Sequence, residues 1–140
     1  MEQFITQLAH NTLVLIMAAG IALDTILGVL RACKEHRFNS SAGIDGAIRK
    51  VAMLVCALAL AFVDMLVHIN IIAWLPDGVA DFLGLTKIGL CEFFCLLFAL
   101  YEAVSVLKNL TLCGVPVPTK LRNWIEKFLD NMTDELPSEK

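Results

Sequence analysis

Residues 12–30 read TLVLIMAAGIALDTILGVL, nineteen positions with a single charge, Asp24. At about 1.5 Å per residue, a helix of that length crosses a hydrocarbon core about 30 Å thick. Two more runs repeat the pattern: residues 51–75 carry Asp64, with His68 one turn on, and residues 88–107 carry Glu92 and Glu102. Simple arithmetic tests whether these acids forbid insertion. Leu13, Val14, Leu15, Ile16, Ile21, Leu23, Ile26, Leu27, Val29 and Leu30 together gain about 5 kcal/mol on insertion, and a central Asp costs about 2.5–3.5. The second run has more aliphatic residues and one acid, and the acids of the third lie nearer its ends, where the penalty is smaller. The fold class expected is an all-α membrane protein with three transmembrane helices.

Composition agrees. Of the 140 residues 58% are hydrophobic and 18% charged, with nearly all charge between or after the apolar runs. The mean hydropathy is +0.73. A soluble domain of this size has no reason to gather apolar residues into runs of about 20. The net charge of −3 argues against a nucleic-acid partner. The N-terminus lacks the basic region of a secretory signal, since its only early charge is Glu2. Cys33, Cys56, Cys91, Cys95 and Cys113 show neither zinc spacing nor a CxxC motif and read as small packing residues. No phosphate loop, HExxH or nucleophile–base pair is present, so neither an enzyme nor a bound metal or cofactor is expected.

Basic residues orient the chain. The connection after the first run holds Arg31, Lys34, Arg37, Arg49 and Lys50, and the C-terminal part holds Lys108, Lys120, Arg122, Lys127 and Lys140. Residues 1–11 hold none, and the second connection holds only Lys87. The positive-inside rule places the first connection and the C-terminus in the cytoplasm and the N-terminus outside, which an odd number of spans also requires. The expected location is the bacterial cytoplasmic (inner) membrane.

The connections carry local signals. Phe38-Asn39-Ser40-Ser41 offers cap residues, and residues 40–50 read as a short interfacial helix bending into the second span. Trp74-Leu75-Pro76-Asp77-Gly78 reads as the end of that span, and Val79, Phe82 and Leu83 suggest a short half-buried re-entry. Gly114, Pro116 and Pro118 stop the third helix, and Thr119 can cap another. Leu121, Trp124, Ile125, Phe128, Leu129 and Met132 then recur at helical spacing opposite Lys120, Arg122, Asn123, Lys127 and Asp130. That segment is too polar to span and lies on the inner leaflet or against a partner. The organisation expected is a membrane domain over residues 1–118 and a cytoplasmic amphipathic helix with a polar tail over 119–140.

Helical spacing groups the polar positions. Gly20, Asp24, Gly28 and Ala32 recur every four residues, a small-residue stripe that permits close approach of a second helix. That helix can belong to the same chain, to another subunit, or to the wall of a wet path. Asp64 and His68 are spaced to pair within one helix, beside the small Ala57 and Ala61. Glu92, Cys95, Ala99 and Glu102 share one face, with Ser105 and Asn109 adjoining, opposite Phe93, Leu97, Leu100 and Leu107. Three helices offer few places to bury four acids, so oligomerisation with the acidic faces turned inward is expected. The candidate oligomer or pore-lining positions are Gly20, Asp24, Gly28, Asp64, His68, Glu92, Ala99, Glu102 and Ser105.

Several segments in order carry a family likeness. Asp24-Thr25-Ile26-Leu27-Gly28 leads into the basic stretch from Arg31 to Arg37, then Phe38-Asn39-Ser40-Ser41, Gly43-Ile44-Asp45-Gly46 and Ile48-Arg49-Lys50. Tyr101-Glu102-Ala103-Val104-Ser105-Val106-Leu107-Lys108-Asn109 precedes Gly114-Val115-Pro116-Val117-Pro118. This order resembles the phage holins of the toxin-secretion and phage-lysis family and, within it, the holin-like proteins of large clostridial toxin loci. The resemblance implies a small inner-membrane protein that self-associates and opens lesions. Its partners would be the lipid bilayer, further copies of itself, and an exported protein passing through, either an endolysin or a large toxin without a signal peptide. It carries over no catalytic residues. The family's positions fall on Asp24 and Gly28, Glu102 and Ser105, and Gly114, Pro116 and Pro118. Two rival readings stay open: a non-lytic regulatory or scaffolding subunit such as an antiholin, and a small ion or solute transporter using Asp64 and His68.

Overall fold

Asn11 opens the first long helix as its sequence suits it to do. Its backbone is extended, and its side-chain oxygen accepts the N–H groups of Leu13 and Val14, two of the donors a helix start leaves unpaired. The computed structural model describes residues 2–36, 40–74, 88–121, 123–124 and 127. A short helix α1 (Glu2–Ala9) precedes α2 (Thr12–Glu35). Next come α3 (Ser40–Val67), a 3₁₀ turn (Ile71–Trp74) and α4 (Leu90–Cys113). Among the described residues three helices are long and apolar enough to cross a membrane: Thr12–Glu35, Gly43–Val67 and Leu90–Cys113, with mean hydropathy 2.4, 2.3 and 2.0. Each is about 36 Å long or more, enough for the hydrocarbon core with some tilt.

Several boundaries differ from the sequence reading: α2 runs on to Glu35 and α4 to Cys113, past the expected ends at residues 30 and 107. Residues 40–50 are helical, but they run without a break into the second span instead of forming a separate interfacial helix. The second span also ends at Val67, not near residue 75. His68 stops it in the left-handed conformation (φ 55°), its N–H still bonded to the Asp64 carbonyl, and His36 ends α2 the same way (φ 51°). Histidine enters that region more readily than most residues with a side chain. The span therefore begins earlier than residue 51 and takes Lys50 with it. A lone ammonium would forbid that, and the partners that permit it come from the other two helices.

Three helices crossing in succession leave α2 and α4 running parallel, with α3 antiparallel to both. Gly20 lets α2 approach α4 closely, since a Cβ there would stand 3.2 Å from the Glu102 Cβ. Met17, Ala57, Cys91 and Cys95 form the buried apolar core, flanked by Leu13, Val14, Ile21, Leu60, Ala61, Phe98 and Ala99. Asn70 closes the far side: its side-chain oxygen accepts from Ile72 and Ile88, and Ile71 donates to the Ile88 carbonyl. α4 ends in a Schellman turn at Gly114 (φ 92°), where Gly114 and Val115 donate to the Thr111 and Leu110 carbonyls. Helical positions resume at 119–121 and include Asn123, Trp124 and Lys127, where the amphipathic tail helix was expected. Leu121 is half-buried and Trp124 exposed, whereas Ile125, Phe128, Leu129 and Met132 lie outside the described residues. So do the re-entry at Val79, Phe82 and Leu83 and the turn at Pro76-Asp77-Gly78.

Candidate functional site

Asp24 and Glu102 each stand half way along their helices, and α2 and α4 run parallel, so the two carboxylates meet at one depth. Between them lies Lys50 of α3. Its Nζ donates to Asp24 Oδ2 at 2.7 Å, to Glu102 Oε2 at 3.0 Å and to the Ile21 carbonyl at 3.4 Å. The cluster is withdrawn from solvent, with 2% of the Glu102 side chain and 16% of the Lys50 side chain exposed. It extends towards the basic end. Asn109 Nδ2 donates to Asp24 Oδ1 at 2.8 Å, and Arg31 Nη1 donates to Asn109 Oδ1 at 3.1 Å. Arg31 in turn lies 4.0 Å from Glu35. Lys50 and Arg31 balance Asp24 and Glu102 in charge, with the more exposed Glu35 at the rim, and a paired, hydrogen-bonded set is the form in which ionised groups persist away from water.

A second polar layer closes the opposite end, where α4 starts at Gly89. Glycine has no side chain to cap a helix, and the cap comes from α3. Asp64 Oδ1 accepts from Leu90 N–H at 3.0 Å, and Oδ2 accepts from Cys91 N–H at 2.7 Å. A carboxylate here also meets the positive end of the helix dipole. Glu92 accepts the Gly89 N–H at 2.9 Å and the Asn11 amide at 2.7 Å, which ties the starts of α2 and α4 together. Beside these groups lies a cavity of about 130 Å³, bordered by Phe4 and Leu8 of α1, Asp64, Met65 and His68.

Each intramembrane acid thus finds a partner within one chain. The stripe of Gly20, Asp24 and Gly28 faces α4, where Gly28 approaches Asn109, so this seam lies inside the chain. Ala99 is partly buried against the core, and Ser105 is half-buried on the same helix. The Asp64–His68 pairing expected from their spacing gives way: Asp64 turns to the start of α4, and His68 lies exposed beyond the helix end. Backbone N–H groups at the start of α4 have no acceptor of their own, and the two Asp64 oxygens take up two of them. Cys91 and Cys95 are buried in the core with sulfurs 3.9 Å apart, and Cys91 Sγ donates to the Ala57 carbonyl. Among the described residues no group of three or more His, Cys, Asp and Glu side chains is placed to hold a metal.

Sequence reasoning missed Lys50, Asn11 and Arg31 as members of these sites. Asn11-Thr12 ahead of an apolar run is an N-cap signal, so Asn11 was findable. Lys50 gave no local signal, because its partners stand 26 and 52 positions away.

The bacteriophage holin family matches this chain over residues 4–130. A relative, "Holin-like protein TcdE" of Clostridioides difficile, is 47% identical over 136 residues, covering 97% of this chain and 82% of its own length. An "Uncharacterized 14.9 kDa protein in nagH 3'region" of Clostridium perfringens is 28% identical over 108 residues, covering 77% of this chain and 70% of its own. No solved structure matches the chain. Three apolar helices with polar groups folded inward, the match over nearly the whole length and the shared identity converge: this chain belongs to the bacteriophage holin family.

Proposed function

We propose that this holin-like pore-forming protein gathers in the cytoplasmic membrane and forms holes walled by the polar faces of α2 and α4. Those holes release protein from the cell, either an endolysin or a large toxin without a signal peptide. The observation that carries the reading is the burial of Asp24 and Glu102 half way along their helices, with Asn109 buried beside them and Lys50 largely withdrawn between them. A protein that served only as an anchor has no need of such groups there. A protein that must line water after assembly does, and must hide them beforehand. The opposite face suits lipid: Leu15, Leu23, Ile26 and Leu30 of α2 and Phe93, Leu97 and Leu100 of α4 are exposed.

The orientation follows from charge. Arg31, Lys34, Arg49 and Lys108 lie towards the end where α2 and α4 finish and α3 begins. The other end, with Asn11, Asp64 and Glu92, has no Lys or Arg among the described residues. The basic end belongs in the cytoplasm.

Liposomes containing the purified chain, with insertion verified by protease protection, provide the test. Above a threshold protein-to-lipid ratio they should release first a small dye and then an enclosed folded protein. Vesicles that stay tight at high density would refute pore formation. Release of dye but never protein would refute protein export and favour a solute channel.

A further inference from the structure

We infer that α3 is a hinged cover, pivoting at the Asp64 cap of α4 and latched by Lys50, and that unlatching it bares the pore-lining acids. The inference rests on the pore-forming reading above and adds which element moves. It begins from the unequal ways in which the three helices hold together. α2 and α4 are joined along their whole length. Asn11 meets Glu92 at one end, Gly20 packs on Glu102 and Asp24 bonds Asn109 in the middle, and Lys34 Nζ donates to the Cys113 carbonyl at the other end. None of these contacts involves α3.

α3 is attached differently. Among the described residues its sole buried side chain is Ala57. Ile48, Val51, Val55, Leu58, Phe62 and Leu66 all point outward. Two sets of side-chain attachments join it to the other helices, one near its outer end and one at Arg49 and Lys50, about ten residues in from its start. Towards the outer end, both Asp64 oxygens accept N–H groups of α4. About 21 Å away along the helix, Lys50 bonds Asp24 and Glu102, and Arg49 Nη1 donates to the Tyr101 hydroxyl at 3.1 Å. A helix held this way has a fixed level at Asp64 and a releasable one at Lys50. The Asp64 attachment serves backbone N–H groups beside the buried core at Cys91, where water does not reach, whereas the Lys50 attachment joins charged side chains that water can hydrate one by one.

The chemistry also sets when the latch lets go. In hydrocarbon, separating Lys50 from Asp24 and Glu102 would leave three charges unpaired, so the cover stays shut in an isolated chain. Where an assembly brings water to that face, each group is hydrated instead and the separation loses most of its penalty. Swinging α3 aside exposes Asp24 and Glu102 together, while Asn109 continues to hold Asp24 on the α2–α4 pair. The same contact that keeps one chain closed therefore responds to the wetting that assembly creates.

A reversible cross-link tests the motion. In a chain whose five native cysteines are alanine, and whose leakage matches wild type, Arg49→Cys and Tyr101→Cys are joined by a short reducible thiol-to-thiol linker. A second chain of the same background keeps Cys113 and carries Leu27→Cys, which ties α2 to α4, because the Cys113 sulfur lies 4.0 Å from the Leu27 carbonyl. The readout is dye release from liposomes at equal protein-to-lipid ratios. The α3-linked chain should not release dye until a reductant cuts the linker, whereas the α2–α4-linked chain should release it like the unlinked protein. Release from the intact α3-linked chain overturns the inference and leaves pore formation standing. So does failure of the α2–α4-linked chain alone, which would place the motion between those helices. Tight vesicles with the wild-type chain overturn the pore-forming reading, and the hinged cover falls with it.

Discussion

Lys50 is one ammonium shared by two carboxylates, and Asp24 and Glu102 reach it from different helices. Breaking a buried ion pair by removing one partner costs about 3–5 kcal/mol, mostly because a charge is left behind. Lys50→Ala is therefore expected to destabilise the monomer in detergent by roughly that amount, and Lys50→Ala with Asp24→Asn and Glu102→Gln should recover much of the loss. Denaturant titrations followed by circular dichroism measure both; a triple variant no more stable than the single one would contradict the ion-pair account. At Asp24 the comparison is functional. Asp24→Leu deprives both Lys50 and Asn109 of an acceptor, so it should shift the onset of lysis in expressing cells more than Asp77→Leu does. Equal shifts in culture turbidity would make the network inert in triggering. Among the described residues Gly114 is the glycine whose backbone takes a positive φ. At φ 92° a Cβ is strained, and it would also stand 2.9 Å from the Lys34 ammonium. Gly114→Ala should lower stability by about 1–2 kcal/mol, read as a drop in the unfolding midpoint.

At the scale of helices, α4 begins with a cap borrowed from α3, and this arrangement makes its own prediction. A Cβ on Gly89 would lie 2.5 Å from Asp64 Oδ2, so Gly89→Ala pushes away the side chain that caps the helix. Asp64→Asn replaces one acceptor oxygen by a donor. Each should loosen the start of α4 by about 1–2 kcal/mol, seen as faster amide hydrogen exchange at Leu90 and Cys91 but not at Leu110. Uniform exchange along α4 would show that the cap is idle. The same element shows what the sequence could and could not reveal. Three apolar runs specified three helices, because hydrocarbon thickness acts on the chain residue by residue. The second span reads as starting at residue 51 because Lys50 looks like the charged end of an interfacial helix until its partners 26 and 52 residues away are known. Asp64 was paired with His68 on spacing alone. Spacing does not register that Gly89 leaves N–H groups without an acceptor at the start of another helix. The stripe of Gly20, Asp24 and Gly28 was legible as a seam, but which helix fills it depends on tertiary contacts that no local pattern encodes.

For the molecule as a whole, the core holds two natural chemical reporters. Cys95 is fully buried, and Cys91 is sealed beneath Ala57 of α3, whereas Cys33 is exposed near the basic end of α2. An alkylating reagent should therefore modify Cys33 at once and reach Cys95, one turn from the pivot at Cys91, only after α3 has moved aside. The ratio of the two products, read by mass spectrometry of the wild-type chain in its membrane, follows the fraction of opened molecules over time with no probe introduced. If that ratio climbs before any dye escapes, individual molecules open ahead of the hole; if the two rise together, the hole and the opening are one event. A pair of thiols that does no chemistry in the resting protein thus records the order in which it comes apart.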